Sequence, residues 1–190
     1  MKKYLFPLLA TLIIVSGVIF VGCQNQANNS ENAGAQEEQT NANPQAVAIS
    51  ARKAYEIAQT KKEKLPNDAS FSFLSSMPKL ASSDGLSKGW NVYFWSPSKK
   101  QSYLIKVYAN KVEEPKESSD NHKEALTTDW VDSFEVAQAA KEKCAGSDDT
   151  GFVYYVYQND EGQSRWSVVC KPDDKVVTLR IDGQTGQLIK

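Results

Sequence analysis

Apolar and polar positions divide the chain into three stretches. From Tyr4 to Val21 nearly every residue is apolar, with Pro7, Thr11, Ser16 and Gly17 as interruptions. Residues 24 to 46 include no aromatic residue and no Leu, Ile or Val. Such a segment buries too little apolar area to offset chain entropy and is expected to be disordered. Periodic patterns begin at Val47. Val47, Ala51, Ala54, Tyr55 and Ala58 share one face of a helix. Ser50 is its candidate N-cap, and Leu65-Pro66-Asn67-Asp68 ends it because proline cannot continue a helix. Alternation of period two then predicts strands, with Phe71 and Phe73 on one face, followed by Trp90, Val92 and Phe94, and by Tyr103, Ile105 and Val107. Ser96-Pro97-Ser98-Lys99-Lys100 reads as the hairpin turn between the last two.

The same order returns later in the chain. Ala54 to Lys64 aligns with Ser133 to Lys143, with identity at six of 11 positions. Trp90-Asn91-Val92 aligns with Trp166-Ser167-Val168, and Tyr103, Ile105 and Val107 align with Val177, Leu179 and Ile181. A shared order of helix and strands points to an internal duplication. The expected fold class is α+β, built as two tandem repeats, each a single helix packed on an antiparallel sheet of three or four strands. Repeat 1 is expected over 47–112 and repeat 2 over 128–190. Residues 113–127 are charged, Ser-rich and contain Pro115, so they read as a linker.

Repeat 2 closes on Leu179-Arg180-Ile181-Asp182-Gly183-Gln184-Thr185-Gly186-Gln187-Leu188-Ile189, a strand, a Thr-Gly turn and an apolar end. This closing segment resembles the end of the PepSY domain, and Ala54-Tyr55-Glu56-Ile57-Ala58 and Phe134-Glu135-Val136-Ala137 resemble that family's helix. The first copy departs from the pattern, since Val107 to Val112 has no Thr-Gly turn. The resemblance implies an exported bacterial protein with tandem units, in a family some of whose members are linked to peptidase inhibition. In architecture alone, the duplicated plan is similar to secreted β-lactamase inhibitory proteins.

The N-terminus supplies an address. Lys2 and Lys3 precede the apolar run, and Gly22-Cys23 closes it, which is the form of an export signal over residues 1–22. Phe20-Val21-Gly22-Cys23 resembles the lipobox of bacterial lipoproteins, although that family usually has Leu where Phe20 stands. The resemblance implies that the Cys23 thiol receives a diacylglycerol and that cleavage leaves Cys23 as the new N-terminus. An uncleaved membrane helix is the alternative, since the run of about 19 residues approaches the roughly 20 that span a bilayer; plain secretion is a third. Each places the rest of the chain outside the cytoplasm. Residues 23–46 then form a spacer spanning about 25 Å on average. Residues 47 to 190 hold 20 basic and 20 acidic side chains. A balanced body offers no large positive field, so nucleic acid is not an expected partner.

Little in the body reads as chemistry. His122 is the one histidine, and its place in the polar linker reads as a solvated loop residue. No spacing suggests a metal site, a phosphate loop or a nucleophile elbow, so no catalytic residue, metal or cofactor is expected. Asp182 to Gly186 and Asn159 to Gly162 read as turns rather than calcium loops. With Cys23 lipidated, Cys144 and Cys170 remain, an even count in an oxidising place. They align with Leu65 at the first helix end and Phe94 on the core face of a strand, so contact in one repeat implies contact in the other. A disulfide is expected, with two buried free thiols as the alternative.

Tyr93, Trp95, Leu104 and Tyr108 alternate with core residues and are expected to point away from the helix. They are covered by the other repeat or else form a partner surface. These expectations describe a membrane-anchored, extracytoplasmic, non-catalytic binding module. Its expected partners are the membrane, through the lipid, and an envelope protein or peptidase that it regulates. A structural envelope lipoprotein with no regulated partner is the alternative, and an enzyme is the remote one.

Overall fold

Ser50 starts the first helix. Its hydroxyl accepts from the Lys53 backbone N–H at 3.3 Å, capping α1 (Ala51–Gln59). The helix ends earlier than Pro66 requires, and a 3-10 turn at Lys62–Lys64 carries the chain to it. Ala51, Ala54 and Ala58 are fully buried, and such small side chains let the helix lie close to the sheet beneath. The second helix, α2 (Ser133–Ala140), begins with a capping box in which the Asp132 N–H donates to Glu135 Oε2 at 2.6 Å.

The computed structural model describes residues 47–148 and 151–189. The expected export signal, Cys23 and the spacer lie outside the described residues. Among the described residues no helix is long and apolar enough to cross a membrane.

Among the described residues there are eight strands, five between the helices and three after α2: β1 (Ser70–Ser76), β2 (Trp90–Ser96), β3 (Gln101–Tyr108), β4 (Lys111–Val112), β5 (Lys116–Ser118), β6 (Val153–Gln158), β7 (Ser164–Cys170) and β8 (Val177–Asp182). All pair antiparallel in one sheet of order β4-β3-β2-β1-β6-β7-β8, with β5 also on β3. This corrects the expectation of two tandem helix-on-sheet repeats. β1 pairs β6 with Leu74 opposite Val156, and buried residues from both parts of the chain form a single core. Two physical reasons favour the merged sheet. A unit of about 65 residues has a small core of its own, and β1 and β6 would otherwise each present a row of unpaired backbone groups.

The two helices are also tied to one another. Asp132 Oδ1 accepts from its own α2 N–H at Ser133 (2.7 Å) and from the α1 N–H at Arg52 (2.9 Å). Ser133 Oγ accepts from Ala51 N at 3.0 Å. One carboxylate thus serves two helix N-termini, whose N–H groups lack intrahelical partners. The Arg52 guanidinium stacks 3.8 Å over the buried Trp130 ring and donates to the carbonyls of Thr128 and Trp130. Trp90 and Trp166 are fully buried, and their indole N–H groups donate to Ile49 O (2.9 Å) and Val131 O (3.0 Å), just ahead of each helix.

Cys144 and Cys170 form a disulfide, with Cα atoms 5.8 Å apart, that joins the turn after α2 to the end of β7. The Asp182 to Gly186 segment is a turn. Asp182 Oδ1 accepts from the N–H groups of Gln184 and Thr185 and from the Thr185 hydroxyl, and these bonds hold the carboxyl below its ordinary pKa.

Candidate functional site

Both helices join the single core on one face of the sheet, where Ala54 and Ala58 of α1 and Val136 and Ala140 of α2 cluster with Val92, Phe94, Trp166 and Val168. Strand alternation aims the other set of side chains away from them. In β2 and β3 these are Asn91, Tyr93 and Trp95, and Ser102, Leu104 and Lys106, with Tyr93 directly opposite Leu104 and Trp95 opposite Ser102. A β-bulge at Ser72 alters the pattern in β1. Phe71 pairs with the core residue Phe94, whereas Phe73 pairs with Tyr93. The extra residue turns Phe73 to the open face, so Phe71 and Phe73 do not share a side as strict alternation suggested. Tyr155 and Tyr157 of β6 extend the same face, opposite Ser75 and Phe73.

The four residues singled out by alternation are placed unequally. Tyr93 is buried, at 7% exposure. Trp95 and Leu104 are half-buried neighbours of it. Tyr108 lies at the far end of β3, with Lys111 Nζ 5.9 Å from its ring. The structure therefore brings Tyr93, Trp95 and Leu104 together and leaves Tyr108 apart.

What covers Tyr93 is the segment read from sequence as a linker. Its β5 residues pair with β3, Ser118 opposite Ser102, and Gln101 Nε2 donates to Ser118 O at 2.8 Å. Beyond β5, Asp120 Oδ2 accepts from the Tyr93 hydroxyl at 2.9 Å. His122 stacks on Phe73, with ring centroids 3.9 Å apart and planes 5° from parallel, and meets Tyr93 edge-on at 5.0 Å. Lys123 Nζ stands 5.9 Å from the Trp95 ring. His122 is thus no solvated loop residue, a correction with a plain cause: the bulge presents Phe73 as a flat apolar platform. Asp120, Tyr155 and Tyr157 were not singled out from sequence, and Phe73 and His122 were read there only as a strand residue on the side of Phe71 and as a solvated loop residue. The alternation Tyr155–Tyr157 was the one available signal, since bulges and loop paths leave no periodic trace.

Burial sets the electrostatics. It pushes the Tyr93 phenol well above its ordinary value, and the hydrogen bond to Asp120 and that carboxylate's charge push the same way. Burial holds the His122 imidazole below its ordinary value, against the opposing pull of Asp120. Beyond the covered part, Tyr157, Asn159, Arg165, Arg180 and Ile189 border a shallow cleft of about 310 Å³. Arg165 Nη1 donates to Asp182 Oδ2 at 2.5 Å, so its charge is already paired. No group of three or more His, Cys, Asp or Glu side chains that could hold a metal ion occurs among the described residues. The arrangement can offer aromatic contact area and hydrogen bonds to a ligand.

The fold is similar to the crystal structure of a "putative lipoprotein" of Clostridium difficile 630, with a TM-score of 0.54 and 16% sequence identity, over 72% of this chain and 89% of that one. At that identity the likeness is one of fold. No protein-family model and no curated protein matches the chain, so the PepSY resemblance rests on the residues that carry it.

Proposed function

We propose that the chain is a lipid-anchored protein of the bacterial cell envelope that binds a partner protein through the open face of its sheet, without catalysis. The observation that carries this reading is the group of half-buried aromatic and apolar residues facing away from both helices: Phe73, Trp95, Leu104, Tyr155 and Tyr157. Tryptophan and tyrosine dominate interface hot spots because they supply rigid contact area at low entropic cost. Three further features support the address. Gly22-Cys23 closes an apolar run and precedes a polar spacer. The Cys144–Cys170 disulfide fits an oxidising compartment. The solved structure of similar fold is itself described as a "putative lipoprotein". The PepSY resemblance favours an envelope peptidase as the partner, held or inhibited near the membrane.

The test is crosslinking in intact cells, identification of the captured protein, and affinity measurement with that protein purified. Trp95→Ala is expected to weaken binding by about 2 kcal/mol or more while the melting temperature stays close to wild type. Unchanged affinity refutes the open face as the binding surface. So does a loss of several kcal/mol of stability, which would make Trp95 a packing residue.

A further inference from the structure

The segment after β5 is held on the open face by few contacts. No backbone–backbone hydrogen bond involves residues 119–125 among the described residues, until Leu126 N donates to Phe71 O at 2.8 Å. Between the anchors at Ser118 and Leu126, three side chains make the attachment: Asp120 on the Tyr93 hydroxyl, His122 on the Phe73 ring and Lys123 above Trp95. The His122 side chain has no hydrogen-bond partner among the described residues, so ring stacking is its whole contribution.

We propose that residues 119–124 are a releasable strap over the open face, held shut by uncharged His122 and released when that imidazole takes a proton. The strap's biological meaning rests on the reading of this face as a binding surface, because release uncovers Phe73 and Tyr93. The opening itself needs no partner. The groups facing His122 are few. On the strap they are Asp120 and Lys123. From β2 comes the Tyr93 phenol, which burial and Asp120 keep protonated, and from β1 the uncharged Phe73. Tyr155 of β6 lies behind Phe73, its own phenol pushed up by burial. Lys123 is turned to the Trp95 ring, and Asp120 attracts an imidazolium while spending an oxygen on Tyr93. Burial is the larger influence on the ring, and it favours the neutral form. A base whose affinity for protons is lower in the closed state stabilises that state at higher pH. The closed state loses this stabilisation as pH falls through the open-state value, near 6.5 for histidine, toward the lower closed-state value.

The chain has a single histidine, so its imidazole resonance needs no assignment. The full chain in detergent micelles is titrated by NMR beside a peptide of residues 119–125. The open population is read from pH 7.5 to pH 5 by relaxation dispersion at the Phe73 and Tyr93 rings, which lose their partner ring on opening. The expected midpoint in the protein lies below that of the peptide. The opening ratio is expected to rise tenfold for each pH unit by which the two midpoints differ. His122→Phe keeps the stacked ring without a titrating group and is expected to give a small open population that is flat with pH. His122→Ala is expected to leave the strap open throughout. A midpoint at or above the peptide's overturns the proposal, as does an open population that ignores pH or a His122→Phe variant that responds as wild type does. Unaltered partner affinity in Trp95→Ala would instead count against the binding surface and leave these results on opening standing.

Discussion

Breaking the Cys144–Cys170 bond is expected to destabilise the domain by an amount that follows from the chain path. The two cysteines are separated by 26 positions, and the loop they close contains β6 and most of β7. In the chain-entropy description, closing a loop of that length removes denatured-state entropy worth about 3.5 kcal/mol at 25 °C. For domains of roughly 150 residues and more, each kcal/mol moves the melting temperature by about 2–4 °C, so reduction is expected to lower it by about 10 °C. Both cysteines are buried, so the reductant must act on transiently opened protein, and reduction will be slow under native conditions. The assay is thermal unfolding of oxidised and reduced protein in the same buffer, with alkylation and mass spectrometry counting thiols in each sample. Cys144→Ala/Cys170→Ala, which cannot form the bond, is expected to melt no higher than the reduced protein. A difference below about 3 °C between samples verified as oxidised and reduced would refute the reasoning. It would mean that the denatured loop is already constrained, or that the native bond is offset by strain.

Asp132→Ala removes the acceptor of two helix N-termini and is expected to cost about 2–3 kcal/mol, from a lost cap and an orphaned Arg52 N–H. Urea unfolding measures it, and a loss below about 0.5 kcal/mol would show that water replaces the carboxylate at both helices. Cys23→Ala is expected to abolish lipidation and release the chain from the membrane fraction or leave it unprocessed. Mass spectrometry of the native N-terminus decides, and an intact Met1 with an unmodified Cys23 would refute the anchor.

Individual elements were legible, though not their assembly into one sheet, because period-two and helical patterns are local. The strands carrying Trp90, Val92 and Phe94, and Tyr103, Ile105 and Val107, lie where alternation put them, and Ser50 caps the helix it precedes. The alignment of Cys144 with Leu65 and Cys170 with Phe94 led to the disulfide, because residues filling equivalent core positions meet. Pairing between distant strands was not legible. Nothing in Ser70–Ser76 or Val153–Gln158 names the other as its neighbour, and a free strand edge and a paired one have the same periodicity. The bulge at Ser72 reversed the side on which Phe73 sits and so added its ring to the face where Tyr93, Trp95 and Leu104 were expected. Residues 113–127 read as a linker from polarity. Backbone pairing of Lys116–Ser118 with β3 and one stacked imidazole hold them to the sheet, and composition reports neither.

The central β1–β6 pairing bears on the order in which the molecule can form. A chain made from its N-terminus completes α1, β1, β2 and β3 well before β6 exists. Until then β1 is an edge, with one side of Ser70–Ser76 unsatisfied and open to mispairing. The N–H groups of Ala51 and Arg52 likewise wait for Ser133 and Asp132. The early part of the chain therefore cannot reach its final free energy alone. Native contacts that decide the outcome join residues far apart in sequence, which makes folding slower than for a chain with local contacts. A protein built this way gains one cooperative structure and accepts an interval in which its middle strand is exposed to any other strand nearby.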